Sequence, residues 1–169
     1  MDINGDKLYE TDEEKNNRMA FMRMLRACPI PEEQIISNLG LFLVSKNLSR
    51  ILFLDYVYKK IIDTQGIVMD LGTRWGQNMA VFSALRSIYE PFNRHRKIVG
   101  FDTFAGFPRI DLKDGNSDLM KEGNVSVVDN YCHYLEDIML CHEKHGPLSH
   151  IKKYEIVVGD ASKSILDYL

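Results

Sequence analysis

Three stretches of the chain set an acid and a glycine directly after an apolar run. Ile67-Val68-Met69 leads into Asp70-Leu71-Gly72-Thr73-Arg74-Trp75-Gly76, Lys97–Phe101 leads into Asp102-Thr103-Phe104-Ala105-Gly106, and Tyr154–Val158 leads into Gly159-Asp160-Ala161-Ser162. Glycine accepts positive φ and lets a ligand come close to the backbone. A helix that opens just after such a glycine offers free N–H groups and a partial positive charge to an anion. An aspartate at a strand end can accept hydrogen bonds from two vicinal hydroxyls. The chemistry on offer is therefore the holding of a polar, nucleoside-like molecule.

The spacing narrows the ligand. A pyrophosphate-binding turn would read G-x-G-x-x-G. Here the turn is Gly72-x-x-x-Gly76, with Arg74 and Trp75 inside it. That suits a small carboxylate better than a pyrophosphate and speaks against a dinucleotide-dependent dehydrogenase. Asp70 points to a partner that is cationic or rich in N–H groups. Asp102 would take ribose hydroxyls, and Asp160 an exocyclic amine while Ala161 leaves room for a base. An amino-acid head, a ribose and an adenine together make S-adenosylmethionine. The bland readings are that G-x-x-x-G is only a tight turn and that a lone aspartate at a strand end is a helix cap. All three features in one β-α-β-α-β order favour the nucleoside ligand.

The elements that must position these residues follow from periodicity. Ile67–Leu71, Lys97–Phe101 and Tyr154–Val158 are short apolar runs, typical of buried parallel strands. Gln77–Ile88 is predicted helical with Met79, Val81, Phe82, Leu85 and Ile88 inward. Asp129–His142 is a further helix, with Tyr131, Tyr134, Leu135, Ile138 and Cys141 as its buried stripe. Upstream, Glu13–Ala27 is a helix ended by Pro29 and Pro31. Glu32–Asp63 is helical with a break near Asn38–Gly40, and its stripe is Leu48, Ile51, Leu52, Asp55, Val57, Tyr58, Ile61 and Ile62. Residues 1–16 are charged and loosely attached, and Arg109–Gly123 is a long polar loop. Strands alternating with helices give an α/β fold with a parallel sheet in strand order 3-2-1. The expected division is an N-terminal helical extension over 1–63 and a Rossmann-like cofactor-binding domain over 64–169.

Composition excludes several classes. Net charge is −3 at pH 7, so no long-range pull toward nucleic acid is expected. The most apolar stretch, Leu39–Ile62, carries Lys46, Arg50, Asp55, Lys59 and Lys60 and cannot be a membrane span. Three cysteines, Cys28, Cys132 and Cys141, are too few and too odd for a disulfide framework and indicate a reducing, cytoplasmic setting. The cluster Cys132, His133, Cys141, His142 and His145 reads as helix surface and core, because nine residues turn a helix about 900° and set the two cysteines on opposite sides. Phe92–Lys97, "FNRHRK", reads as a solvated basic loop. Ser162 and Ser164 have no histidine at a suggestive spacing, so nucleophilic catalysis is not expected.

The segments "DLGTRWGQNMAVFSAL", "IVGFDTFAGFP", "KEGNVSV" and "YEIVVGDASKSI" resemble class I S-adenosylmethionine-dependent methyltransferases of the macrocin O-methyltransferase type. The resemblance runs from about Ser45 to the last residue, and "FDTFAGFP" is its most specific part. It implies a Rossmann-like parallel sheet, here the first half of a class I methyltransferase fold, and O-methylation of a sugar hydroxyl on a natural product or surface polysaccharide. It implies that Asp70, Gly72 and Gly76 line the methionine end, that Asp102 takes the ribose, and that Asp160 and Ala161 border the adenine. With their motif neighbours Thr73, Arg74, Asn78, Thr103 and Phe104 these form the candidate cofactor-binding set. The first acid of the family motif is often glutamate; Asp70 departs from that.

Family members continue into a fourth strand whose acids bind a divalent metal such as Mg2+ and supply the proposed base. Neither is identifiable in these residues. The chain stops at Leu169 inside a helix without a Gly or Asn cap. The expectation is a fragment, a truncated product, or a chain completed by another copy. Ile67–Leu71 would be an apolar edge strand that favours homo-oligomers. The expected partners are a small-molecule or saccharide acceptor, with no nucleic acid and no membrane. The rival reading is a non-catalytic module that keeps only the nucleoside pocket or the fold.

Overall fold

The computed structural model describes residues 11–110 and 121–169. The expectations for residues 1–10 and for the middle of the Arg109–Gly123 loop lie outside the described residues. The described chain falls into two compact units, divided between Leu52 and Phe53.

The first unit is helical. Helix α1, Asp12–Arg26, is opened by a capping box in which Thr11 Oγ1 accepts from Glu14 N–H at 3.2 Å and Glu14 Oε2 accepts from Thr11 N–H at 2.8 Å. Pro31 sits at the N-cap of the short α2, Glu32–Ile35, which runs into a 3-10 stretch, Ile36–Phe42. The expected break falls at Asn38, whose φ of −111° is non-helical and whose side-chain amide donates to Gln34 O at 2.9 Å. Phe21 and Phe42 meet edge-on with centroids 6.2 Å apart. Helix α3, Ser45–Lys59, begins in this unit and ends in the second.

The second unit is the α/β part. Strands β1, Val68–Leu71, β2, Ile98–Asp102, and β3, Tyr154–Val158, form a parallel sheet in the order β1-β2-β3. Helices α4, Gln77–Tyr89, and α5, Tyr131–His145, make the crossovers, and α6, Ala161–Tyr168, follows β3. The central strand has Ile98, Val99, Gly100 and Phe101 all buried, as expected for a strand covered on both faces. Tyr58, Met79, Ile98, Leu135, Met139 and Tyr154 form the core. At Gly100 an added Cβ would run into Met79 Sδ and approach Thr73 Oγ1. The bare backbone there lets α4 and the turn after β1 close onto the sheet.

Several inward assignments need correction. In α3 the buried residues are Leu54 and Tyr58, whereas Leu48 and Leu52 are exposed. Leu52 lies two residues before Leu54 and so on the far side of the helix. Ile88 is 67% exposed, because it is nine residues, half a turn out of phase, from buried Met79. In α5 the buried stripe is Leu135, Met139 and Glu143, while Tyr134 and Cys141 are exposed. Cys141 is two residues past Met139 and therefore on the opposite face.

Charged residues also build this core. Arg96, expected in a solvated loop, is 3% exposed. Its guanidinium donates to Glu90 and to the carbonyls of Gly66, Ile61 and Thr64 at 2.6–3.1 Å. The Tyr58 hydroxyl donates to the same glutamate at 2.6 Å. Burial pushes the Tyr58 hydroxyl far above its ordinary value, and the Glu90 carboxylate beside it adds to the shift. A second node joins Arg86, Glu143 and Lys153, whose side chains are each 2% exposed, through two ion pairs of 2.6 Å. Buried charges persist only when paired and hydrogen-bonded, and both nodes meet that condition.

Candidate functional site

The carboxyl edge of the sheet brings the three acid-bearing ends together. At the first, Asp70 is 7% exposed. Its Oδ1 accepts from the Asn78 side-chain amide at 2.9 Å. Its Oδ2 is buried without a hydrogen-bond partner. A buried carboxylate oxygen with no donor is costly, and such an atom calls for an explanation. Thr73 is tucked inward, its hydroxyl donating to Asp70 O at 2.9 Å.

The two glycines of this turn do different work. Gly72 has φ +78°, and a Cβ there would meet open space. Gly76, with φ +73°, is the N-cap of α4, and a Cβ would collide with the Leu135 side chain. Gly72 thus leaves its side of the turn open, and Gly76 lets α4 and α5 approach each other. Between them Arg74 holds φ 47°, the left-handed region that non-glycine residues seldom adopt.

The second end ties the site together. Asp102 Oδ2 accepts from Arg74 N–H at 2.7 Å, and Oδ1 accepts from Phe104 N–H at 2.6 Å. One half-buried carboxylate therefore fixes the turns after β1 and β2 at once. The Thr103 hydroxyl donates to Gly106 O at 2.6 Å. Beyond it, Phe107 N–H donates to Asn124 O at 3.1 Å and Gly123 N–H to Phe107 O at 3.0 Å. This pairing lays the 121–127 segment against 104–107. Gly106 is required there, since a Cβ would press on the carbonyls of Gly123 and Asn124.

At the third end Asp160 caps α6. Its Oδ1 accepts from Ser162 N–H at 3.0 Å and from the Ser162 hydroxyl at 2.8 Å. These bonds hold its carboxyl below the usual range.

A cleft of about 300 Å³ lies among these ends, lined by Gly72, Arg74, Phe101, Asp102, Thr103, Gly106, Phe107, Pro108, Val125, Gly159, Asp160 and Ala161. This is the small end of the range for ligand pockets. Of the residues singled out in the sequence, Gly72, Arg74, Asp102, Thr103, Asp160 and Ala161 line it. Asp70, Thr73, Gly76, Asn78 and Phe104 do not, and Phe104 packs instead against the core. Besides the strand-end residues Phe101 and Gly159, the loop residues Gly106, Phe107, Pro108 and Val125 were missed as lining residues. Their signal was present in "FDTFAGFP" and "KEGNVSV", since a glycine and a proline close together mark a shaped loop.

The crystal structure of CalS11, a calicheamicin methyltransferase, superposes on the chain with a TM-score of 0.91 and 33% identity, covering 96% of this chain and 63% of that one. The apo structure of CalS11, a TDP-rhamnose 3'-O-methyltransferase of calicheamicin biosynthesis, gives a TM-score of 0.79 and 30% identity over 96% of this chain and 62% of that one. In sequence and in fold, the chain is similar to these two methyltransferase structures. It spans a little under two thirds of the length of these two structures. No family model and no curated protein matches it. The expected Rossmann-like sheet, as found in methyltransferases, is the fold observed.

Proposed function

We propose that the chain is the cofactor-holding part of an S-adenosylmethionine-dependent O-methyltransferase that acts on a sugar hydroxyl of a natural product or surface polysaccharide. The observation that carries this is the convergence of Gly72, Asp102, Asp160 and Ala161 on one cleft. The residues fit the donor. The buried, unpartnered Asp70 Oδ2 suits an ammonium group, and the open side of Gly72 gives a methionine moiety room to approach the backbone. Asp102 has lone pairs left over for ribose hydroxyls. Asp160 Oδ2, not used by Ser162, can accept from an amine beside small Ala161. When bound, the donor supplies a methyl group on a sulfonium, open to in-line attack by a hydroxyl. The residues described here bind and orient, which is the larger part of what such a transfer requires.

Calorimetry on the 169-residue chain tests the reading. S-adenosylhomocysteine should bind and raise the melting temperature with concentration, and NADH should not. NADH binding with no response to S-adenosylhomocysteine would overturn it. The named substrate of one structural neighbour, TDP-rhamnose, supports a sugar acceptor still carried on a nucleotide. The resemblance also implies Mg2+. Among the described residues no three His, Cys, Asp or Glu side chains come together, so these residues do not fit that ion. Exposed Leu71 on edge strand β1 supports self-association. No helix among the described residues is long and apolar enough to cross a membrane, and the free cysteines support a cytoplasmic setting. A second reading, a binding module without catalysis, is favoured by one fact. Both carboxylates lining the cleft, Asp102 and Asp160, already hold backbone N–H groups. Methyl transfer by the chain to any hydroxylated acceptor would dismiss it.

A further inference from the structure

Val125 holds φ 65°. Of the five non-glycine residues with left-handed φ among the described residues, it alone is β-branched. A branched Cβ crowds the backbone in that region, so such a residue stays there only where its surroundings enforce it. The bonds that enforce it lie on both sides. Asn124 O accepts from Phe107 N–H at 3.1 Å, and Val127 N–H donates to Phe104 O at 3.3 Å. Gly106 and Gly123, in the same pairing, are also left-handed, and glycine adopts that conformation freely. Position 125 has valine instead. Core packing does not account for it. Phe104, left-handed at φ 55°, packs against the core. Val125 is half-buried, stands outside the core cluster and lines the cleft. Strain held at a cleft wall without a core contact to offset it is the pattern of a ligand-binding position.

We propose that Val125 is a cofactor-contact residue, and that the 123–127 strap is fixed in its strained form so that the valine packs on the base of the bound nucleoside. The inference rests on the S-adenosylmethionine reading of the cleft and adds to it a contact that no strand-end motif supplies. The chemistry of the lining selects the base. Asp102 and Asp160 line the cleft, and as acceptors they suit hydroxyls and an amine. A valine side chain neither donates nor accepts, so it gains only against an apolar surface. The amino-acid end of the ligand is charged and the ribose carries hydroxyls, which leaves the face of the base. Phe107 and Pro108 line the same cleft, and Phe107 N–H is bonded to the carbonyl just before Val125. The strap and its partner loop thus bring apolar residues to a cleft whose strand ends bring acids.

Calorimetry with adenosine and with S-adenosylhomocysteine, beside thermal melts of the apo chain, tests the proposal without an activity assay. Val125→Asn keeps a side chain of similar size in a residue that takes left-handed φ readily. Val125→Gly removes the strain and the side chain together. Both variants should leave the apo melting temperature unchanged or a few degrees higher. Both should weaken adenosine and S-adenosylhomocysteine by the same factor, about tenfold, through loss of one apolar contact. A lower apo melting temperature with unchanged affinities would make Val125 a purely structural residue and overturn the proposal. A loss for S-adenosylhomocysteine but not for adenosine would put the contact on the amino-acid end and overturn it as well. If S-adenosylhomocysteine binds the wild type and both variants equally, the Val125 assignment fails alone. If adenosine binds with the stated dependence on Val125 and S-adenosylhomocysteine binds no tighter than adenosine, the contact stands and the methyltransferase reading falls. Failure of the wild type to bind either probe would overturn both.

Discussion

Replacing Asp102 by alanine removes the acceptor shared by Arg74 N–H at 2.7 Å and Phe104 N–H at 2.6 Å. Hydrogen bonds to a charged acceptor contribute about 1.5–3 kcal/mol each. The site is only half-buried, so the low end of that range applies and the two bonds together are worth about 3 kcal/mol. For a unit of this size that corresponds to a fall in melting temperature on the order of 10 °C. The same carboxylate is the proposed ribose acceptor, so affinity for S-adenosylhomocysteine should also fall, by about ten- to several hundredfold. Asp102→Asn keeps one acceptor oxygen but sets an amide donor against one of the two N–H groups. It should therefore lose nearly as much stability as alanine. The assay is a thermal melt of the apo protein together with a calorimetric titration of the same variant below its melting point. A large loss of stability with unchanged affinity would reduce Asp102 to a loop brace. A melting temperature within about 1 °C of wild type with unchanged affinity would refute both halves of the reasoning.

Asp70→Asn should leave apo stability unchanged or higher, since it removes a charge whose Oδ2 is buried without a donor, yet weaken S-adenosylhomocysteine at least tenfold by calorimetry. Gly76→Ala should cost about 2–4 kcal/mol in urea unfolding, from its left-handed φ and the collision with Leu135; Leu135→Ala in the same chain should relieve the steric part. Glu143→Gln should destabilise by about 3–5 kcal/mol, because Arg86 and Lys153 stay buried with their shared counter-charge gone. Burial pushes Glu90 up, but hydrogen bonds from Arg96, Tyr58 and Asn93 outweigh it and hold its carboxyl below the ordinary value. The native state then binds fewer protons than the unfolded one. The stabilisation is complete above the usual glutamate range and is lost as pH falls through it and below. Acid titration of unfolding free energy should show this loss in the wild type and a smaller one in Glu90→Gln.

Local pattern carried the elements well. Tyr154–Val158 is strand β3 as read, Gln77 opens α4 as read, and Asp102 ends β2. These spans have short apolar runs or glycine boundaries that no tertiary partner overrides. Helix faces were less legible. Ile88 and Cys141 are apolar enough to suggest burial, yet phase, not hydropathy, decides which side of a helix faces the sheet. The charged core was illegible for a stronger reason. Arg86, Arg96, Glu143 and Lys153 look like surface residues alone, and their partners lie far along the chain. At the site, the strand-end acids were visible. Asp160 is the helix cap that the plainer reading of a strand-end aspartate gives, and Asp102 also braces the turn after β1 through Arg74 N–H, a partner 28 residues away that no local residue pattern shows. Gly100 gave no signal at all, because what it makes room for, Met79 and Thr73, is known only once the layers are packed.

The most direct test of the central claim is a crystal structure of the chain grown with S-adenosylhomocysteine. The account predicts the ligand's amino group at Asp70 Oδ2, its ribose hydroxyls at Asp102 and its adenine beside Ala161. Density for the ligand anywhere else on the chain, or ribose hydroxyls facing away from Asp102, would contradict it.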